Sequence, residues 1–186
     1  MILSQIATIQ TGLFAKPIAD GEVVYLQVKH FDDNGMLVGN LHPDLKEEDI
    51  SQKHLLRQGD ILFASKGSKI FATEFDNISQ PAVASTSFFV IRQKEEFRET
   101  ILPEFLVWYL NNPTTQTLLK SKAIGTSLVS ISKSVLDELD IPIPEMKKQH
   151  AILKIARLRN KEKVLQLRIN ELKEKQIQQL IIKSIS

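Results

Sequence analysis

A chain of 186 residues and 21.1 kDa is long enough for one domain with a core of its own and a modest appendage. Its 42% hydrophobic and 25% charged residues, with only 7 Gly and 7 Pro, exclude collagenous, disordered and low-complexity classes. The absence of cysteine excludes disulfide frameworks, cysteine-ligated zinc, iron-sulfur clusters and thiol catalysis. No apolar run reaches the roughly 18 residues of a membrane span, and the start at Met1-Ile-Leu-Ser lacks signal-peptide regions, so a soluble, cytoplasmic protein is expected.

Charge divides the chain in two. Residues 145–186 carry 11 Lys and Arg against 4 Glu, net +7, and residues 1–144 carry 13 basic against 18 acidic residues, net −5. A basic segment on an acidic domain suggests separate duties, the basic part facing a polyanion or an acidic protein.

In chain order, Leu3, Ile6, Ala7 and Ile9 are spaced for a short opening helix that Gly12 would end. Short strands follow at Val23–Val28, Ile61–Phe63, Ile70–Ala72 and Ser87–Ile91, which are rich in β-branched and aromatic residues. Turn signals separate them at Asp32-Asp-Asn-Gly35, Gly59-Asp60 and Gly67-Ser68. From Leu102 the period becomes helical: Pro103 suits a first turn, and Phe105, Leu106, Tyr109 and Leu110 share a face. Pro113 restarts the helix through Thr117–Leu119, and Ser132 is placed to cap a third helix at Ser134–Leu139. Ile141-Pro-Ile-Pro144 cannot continue a helix, which puts the boundary between a domain at 1–144 and a helical segment at 145–186.

After Pro144 neither Gly nor Pro occurs, and apolar residues recur at Ala151, Ile155, Leu158, Leu165, Ile169, Leu172 and Leu180, a stripe of three- and four-residue steps that Glu162 and Gln176 interrupt. A helix over 147–183 would run about 55 Å. An isolated amphipathic helix is marginal in water, so Ile155, Leu158, Leu165, Ile169, Leu172 and Leu180 are expected to pair with a helix of another copy or of another protein, packing along the chain's own domain being the alternative.

Catalytic signatures are weak. His30, His42, His54 and His150 have no metal-ligand spacing. Asn111-Asn112-Pro113-Thr114 lacks the second proline and the aromatic of an amino-group methyltransferase motif, so a helix-breaking turn is its simpler meaning. Glu171-Leu172-Lys173 has the spacing of a nuclease half-site but no aspartate placed to complete it. Two loop stretches carry polar chemistry: Lys66-Gly-Ser-Lys69, and Lys120 to Lys133 with Gly125-Thr-Ser127 inside it. Lysines and hydroxyls beside glycines suit phosphate contacts, although solvated turns have the same composition.

The ordered segments resemble the DNA-specificity subunit of type I restriction-modification systems. The resemblance rests on Leu3–Gly12 leading to Lys16-Pro17, Val24-Tyr-Leu26, Leu56-Arg-Gln-Gly-Asp-Ile-Leu-Phe63 with Gly67-Ser68, and Ala82–Arg92. It continues in Leu102-Pro-Glu-Phe-Leu106, Gly125-Thr-Ser127 before Ile131-Ser-Lys133, and Ile141-Pro-Ile-Pro-Glu-Met-Lys-Lys-Gln149. Lys147 and Lys148 stand where the family commonly has an acidic residue before the glutamine.

The resemblance implies an α+β fold: a mixed globular target-recognition domain with short strands and helices, followed by one long C-terminal coiled-coil helix. It implies sequence-specific reading of double-stranded DNA, no catalysis and no cofactor on this chain. The partners would be a methyltransferase subunit using S-adenosylmethionine and a motor-nuclease subunit. With one domain and one spacer helix, the chain would be a half-subunit that forms a homodimer and addresses a bipartite site. Lys66, Ser68, Lys69, Thr126, Ser127 and Lys133 are the candidate DNA contacts. The alternative is a coiled-coil interaction protein that docks on a partner and binds no DNA; a small enzyme is a third, more distant one.

Overall fold

The computed structural model describes residues 1–76, 80–123 and 129–185. The chain falls into two compact units, Met1–Pro144 and Glu145–Ser186. The first is a mixed α+β domain, and the second contains one long helix.

The central strand is β7 (Phe88–Gln93), whose run Phe-Phe-Val-Ile is buried on both faces. It pairs antiparallel with β1 (Ala7–Thr11) on one side and with β3 (Ile61–Ala64) on the other. An outer strand, β5 (Ala72–Glu74), completes the order β1-β7-β3-β5. A second, parallel pair joins β2 (Val24–Leu26) to β6 (Ala82–Ala84).

Period-2 alternation explains how the pieces stack. Val24 and Leu26 enter one apolar cluster with Leu62, Val90, Ala82, Ala84 and Phe88, while Val23, Tyr25 and Val83 enter another with Leu45 and Ile50. Phe31, Phe71 and Phe88 meet in the first cluster with ring centroids 5.6–6.1 Å apart, two of the pairs edge to face. Each such pair contributes roughly 0.5–1.5 kcal/mol beyond the area it buries.

The opening helix, α1 (Leu3–Ile6), is shorter than its spacing suggests. Ala7 and Ile9 are buried and Thr8 is exposed, a pattern that fits a strand as well as a helix, and pairing with β7 decides it. Ile70 and Phe71 lie before β5 rather than in it, because the paired edge begins at Ala72.

The helical half follows its capping residues. In α2 (Pro103–Asn111), Pro103 occupies the first turn and Phe105, Leu106 and Leu110 are buried. The Asn112 side chain accepts from the Thr114 N–H at 3.0 Å and starts α3 (Pro113–Ser121). Ser132 accepts from Val135 N–H at 3.4 Å at the start of α4 (Lys133–Asp137).

The last helix, α5 (Met146–Ser184), has 39 residues and is about 58 Å long. Past Leu153 all of its described residues except Ala156 are exposed, including Ile155, Leu158, Leu165, Ile169, Leu172 and Leu180. Among the described residues, no helix is long and apolar enough to cross a membrane.

Candidate nucleic-acid interface

Two short strands join the polar stretches singled out in the sequence. β4 (Lys66–Gly67) pairs antiparallel with β8 (Val129–Ser130), placing Lys66 opposite Ser130 and Gly67 opposite Val129. Gly67 has φ +112°, with no atom within 4 Å of a would-be Cβ, so conformation rather than space demands glycine there. Buried Ser65 anchors the ladder: its N–H donates to Ser87 O at 2.9 Å, and its carbonyl accepts from Ile131 N–H at 2.8 Å.

The same end of the sheet collects further loops. β1 leaves at Thr11 opposite Phe89, and β3 leaves at Ala64 opposite Phe88, where β7 begins. Ser85, just after β6, donates its N–H to Leu26 O at 2.8 Å, so β2 and β6 finish here as well. Gly12 N–H donates to Phe88 O at 3.0 Å, and a Cβ on Gly12 would lie 2.1 Å from the Ser85 carbonyl oxygen. Only glycine permits that approach. One sheet end therefore presents the loop starting at Leu13, the segment Val28–His30 with exposed Lys29, the Ser85–Ser87 turn and the β4–β8 ladder.

The candidate contacts differ in their surroundings. Lys66 and Ser68 are exposed. Lys69 Nζ lies 2.8 Å from Asp33 Oδ1, and Lys133 Nζ lies 3.8 Å from Asp137 Oδ2 one turn along α4. Exposed pairs of this kind contribute only about 0–1 kcal/mol, so either lysine can exchange its carboxylate for a phosphate at little cost. Thr126 and Ser127 lie outside the described residues. The ladder thus unites Lys66 and Ser68 with the start of α4.

Neighbouring turns set the charge. The Asp32 carboxylate accepts from Met36 N–H at 2.8 Å and Asn34 N–H at 2.9 Å, and these amides, Met36 first, hold its pKa below the usual carboxylate value. Burial, aided by Lys29, lowers the His30 pKa, and His30 Nδ1 accepts from Gln27 N–H at 3.2 Å. At neutral pH that imidazole therefore adds no cation. No group of three His, Asp or Glu among the described residues is arranged to hold a metal ion.

The opposite end of β3 and β7 is braced. Asp60, 2% exposed, receives Arg92 Nε at 2.8 Å and Arg92 Nη2 at 2.6 Å, together with Arg57 N–H at 2.8 Å. Bonding to Asp60 raises the Arg92 pKa. Asn111 has a structural role: its side-chain amide donates to Ala72 O at 2.7 Å and accepts from Ala72 N–H at 2.8 Å, imitating a strand partner at the edge of β5.

The loop toward Lys16-Pro17 and the stretch Ala82–Arg92 carried the family resemblance, but the sequence did not mark the Leu13 loop, Lys29 or the Ser85–Ser87 turn as contacts. The one local signal was Ser85-Thr86-Ser87, three consecutive hydroxyls between two apolar runs.

The family model for the type I restriction modification DNA specificity domain matches residues 3–180, spanning both units. The chain belongs to this family. Solved structures with the same fold include the S subunit of the type I restriction-modification system from M. genitalium, at TM-score 0.58 and 18% identity, covering 87% of this chain and 38% of that one. The HsdS subunit from Thermoanaerobacter tengcongensis matches at TM-score 0.60 and 15% identity, covering 87% and 37%. A chain from a study of assembly and conformational transition in the type I R-M system matches at TM-score 0.56 and 17% identity, with the same coverage. This specificity-domain chain spans less than two-fifths of the length of these structures. No curated protein matches it.

Proposed function

We propose that this chain reads a short DNA half-site as the specificity component of a type I restriction-modification complex, directing a methyltransferase subunit and a motor-nuclease subunit to a bipartite site. The observation that carries the reading is the β4–β8 ladder, which brings Lys66 and Ser68 beside Ser130 and the start of α4 at the sheet end where the loops converge. Ammonium, hydroxyl and backbone N–H donors of this kind position a phosphate backbone, and loop side chains reach base edges. The chain is non-catalytic in this reading, and the methyl-transfer and cleavage chemistry belongs to the other subunits.

Lys66, Ser68, Lys69 and Lys133 are the contact residues we propose from the described structure, with Thr126 and Ser127 added from the sequence. Two copies pair through Ile155, Leu158, Leu165, Ile169, Leu172 and Leu180, all exposed on α5. Antiparallel pairing relates the two reading domains by a two-fold axis, so the target is an inverted repeat.

A second reading has an observation in its favour. The net charge of −5 over residues 1–144 is unfavourable for holding DNA, since phosphate neutralisation supplies most nonspecific affinity. In that case α5 docks on a partner and the domain touches no DNA. Footprinting with and without a methyltransferase subunit separates the two: a protected, sequence-defined site that requires this chain supports DNA reading, and protection by the methyltransferase alone supports the docking protein. Sedimentation of the full chain at tens of micromolar tests the homodimer, and an all-monomer result overturns self-pairing.

A further inference from the structure

We infer that Phe14 is a base-stacking residue of the DNA interface, an exposed ring on an anchored backbone that lies against a nucleobase while the lysines and hydroxyls of the same sheet end hold the DNA backbone. The inference rests on the DNA-reading proposal and assigns to it a contact of a different chemical kind.

The chain has 9 Phe, 1 Trp and 2 Tyr, and Phe14, at 74% exposure, is the one aromatic side chain among the described residues that is exposed. A solitary exposed apolar residue is ordinary. Phe14 is set apart by the way it is held. The Tyr25 hydroxyl donates to Leu13 O at 2.9 Å and accepts from Ala15 N–H at 3.3 Å, so a single oxygen ties down both neighbours of Phe14. Tyr25 is itself buried in the cluster of Val23, Leu45, Ile50 and Val83. Leu13 N–H donates to Ala84 O at 2.8 Å, and Leu13 bridges to Ser85, fixing the loop from the other side. The peptides on both sides of Phe14 are thus anchored with the ring exposed.

Anchoring the backbone that carries a side chain before a ligand arrives lowers the ordering cost of binding. Its surroundings identify the ligand. Phe14 emerges at the sheet end that carries Lys29, Ser87, Lys66 and Ser68, with exposed Lys16 two residues along the same loop. An apolar protein surface would bury these cations and hydroxyls without partners, whereas a nucleobase offers a π-face to the ring and adjoining phosphates to the lysines. Aromatic and aliphatic wedges of this kind stack on bases or enter base steps.

The test uses the full chain with duplexes that the wild-type chain selects from a random-sequence pool at low salt. Phe14→Ala should weaken binding roughly tenfold to a hundredfold. It should leave the salt slope unchanged because no charge is lost, and leave the melting temperature unchanged because the ring is exposed. In a Trp108→Phe background, the fluorescence of Phe14→Trp should be quenched on adding the duplex. Wild-type affinity for Phe14→Ala, or an unquenched signal, overturns the proposal. If Lys66→Ala still lowers the salt slope in that case, the DNA reading survives and only the role of Phe14 falls. If the wild type retains no duplex either alone or together with a methyltransferase subunit, the DNA reading itself fails. Loss of methyltransferase-subunit binding by Phe14→Ala in the absence of DNA, without quenching by duplex, assigns the ring to a protein contact and overturns the proposal.

Discussion

Lys66 and Ser130 face one another across a two-residue antiparallel ladder although one follows β3 and the other precedes α4. The ladder makes one surface of two loops that are remote in sequence, and a substitution on either side should be felt at the same DNA segment.

Lys66→Ala should reduce the slope of log affinity against log salt by about one unit, since each neutralised phosphate contributes roughly −0.9. Asp33→Ala should act in the opposite sense: it releases Lys69 from the 2.8 Å ion pair and removes a negative charge, so binding should tighten and the slope steepen. Titrations at several ionic strengths measure both, and equal slopes for wild type and Lys66→Ala would show that this lysine meets no phosphate.

Asn111→Ala should destabilise the domain by about 2–3 kcal/mol, because it deletes two hydrogen bonds and leaves the part-buried Ala72 N–H and C=O without their partner. Urea denaturation measures the loss. Asn111→Asp should recover little of it, since a carboxylate cannot donate to the Ala72 carbonyl.

Glu74, on β5, has its pKa raised above 4.5 by burial and by the nearby carboxylates of Glu104 and Asp76. The folded state therefore holds this proton more tightly than the unfolded chain, so stability is lost as pH rises from about 4.5 through the raised folded value. Glu74→Gln should remove that pH-dependent loss and raise the melting temperature at pH 7 relative to wild type. Thermal melts of both proteins across this range supply the comparison.

Four residues inserted near Leu165 should lengthen α5 by about 6 Å while nearly preserving its apolar face. At about 3.4 Å per base pair, the unread gap between half-sites should grow by roughly two base pairs, with the half-sites themselves unchanged. Methylation mapping of the reconstituted complex reads the gap, and an unaltered gap in a variant that still assembles would show that α5 does not set the spacing.

The helical half was the more legible in the sequence because its signals are local. Pro103, Pro113 and Ser132 each act within one turn, and the apolar steps along α5 need no tertiary partner to be seen. The strands were legible as segments but not as pairs. Nothing near Ala7 announces that Gln93 will lie opposite it, so a stretch compatible with either period reads as helix until its partner is known. The candidate interface suffered most from this. Lys66 and Ser68 stood out by composition, but Leu13, Lys29 and Ser87 join them only through β-pairing across the domain. The role of Asn111 was hidden for the same reason, since its partner, Ala72, sits in another element.

The charge on α5 is graded along its length, and the gradient bears on the direction in which two copies would pair. From Lys147 to Lys163 seven basic side chains stand against Glu162, net +6, whereas from Val164 to Lys183 four stand against Glu171 and Glu174, net +2. Two such helices laid parallel would set the strongly charged halves side by side. Reversing one sets each strongly charged half beside a weakly charged one and lowers the total repulsion. Were two copies to pair as proposed, opposed alignment would be favoured by side chains that need never touch, and the preference should be sharpest in dilute buffer and fade as salt shortens the reach of the charges.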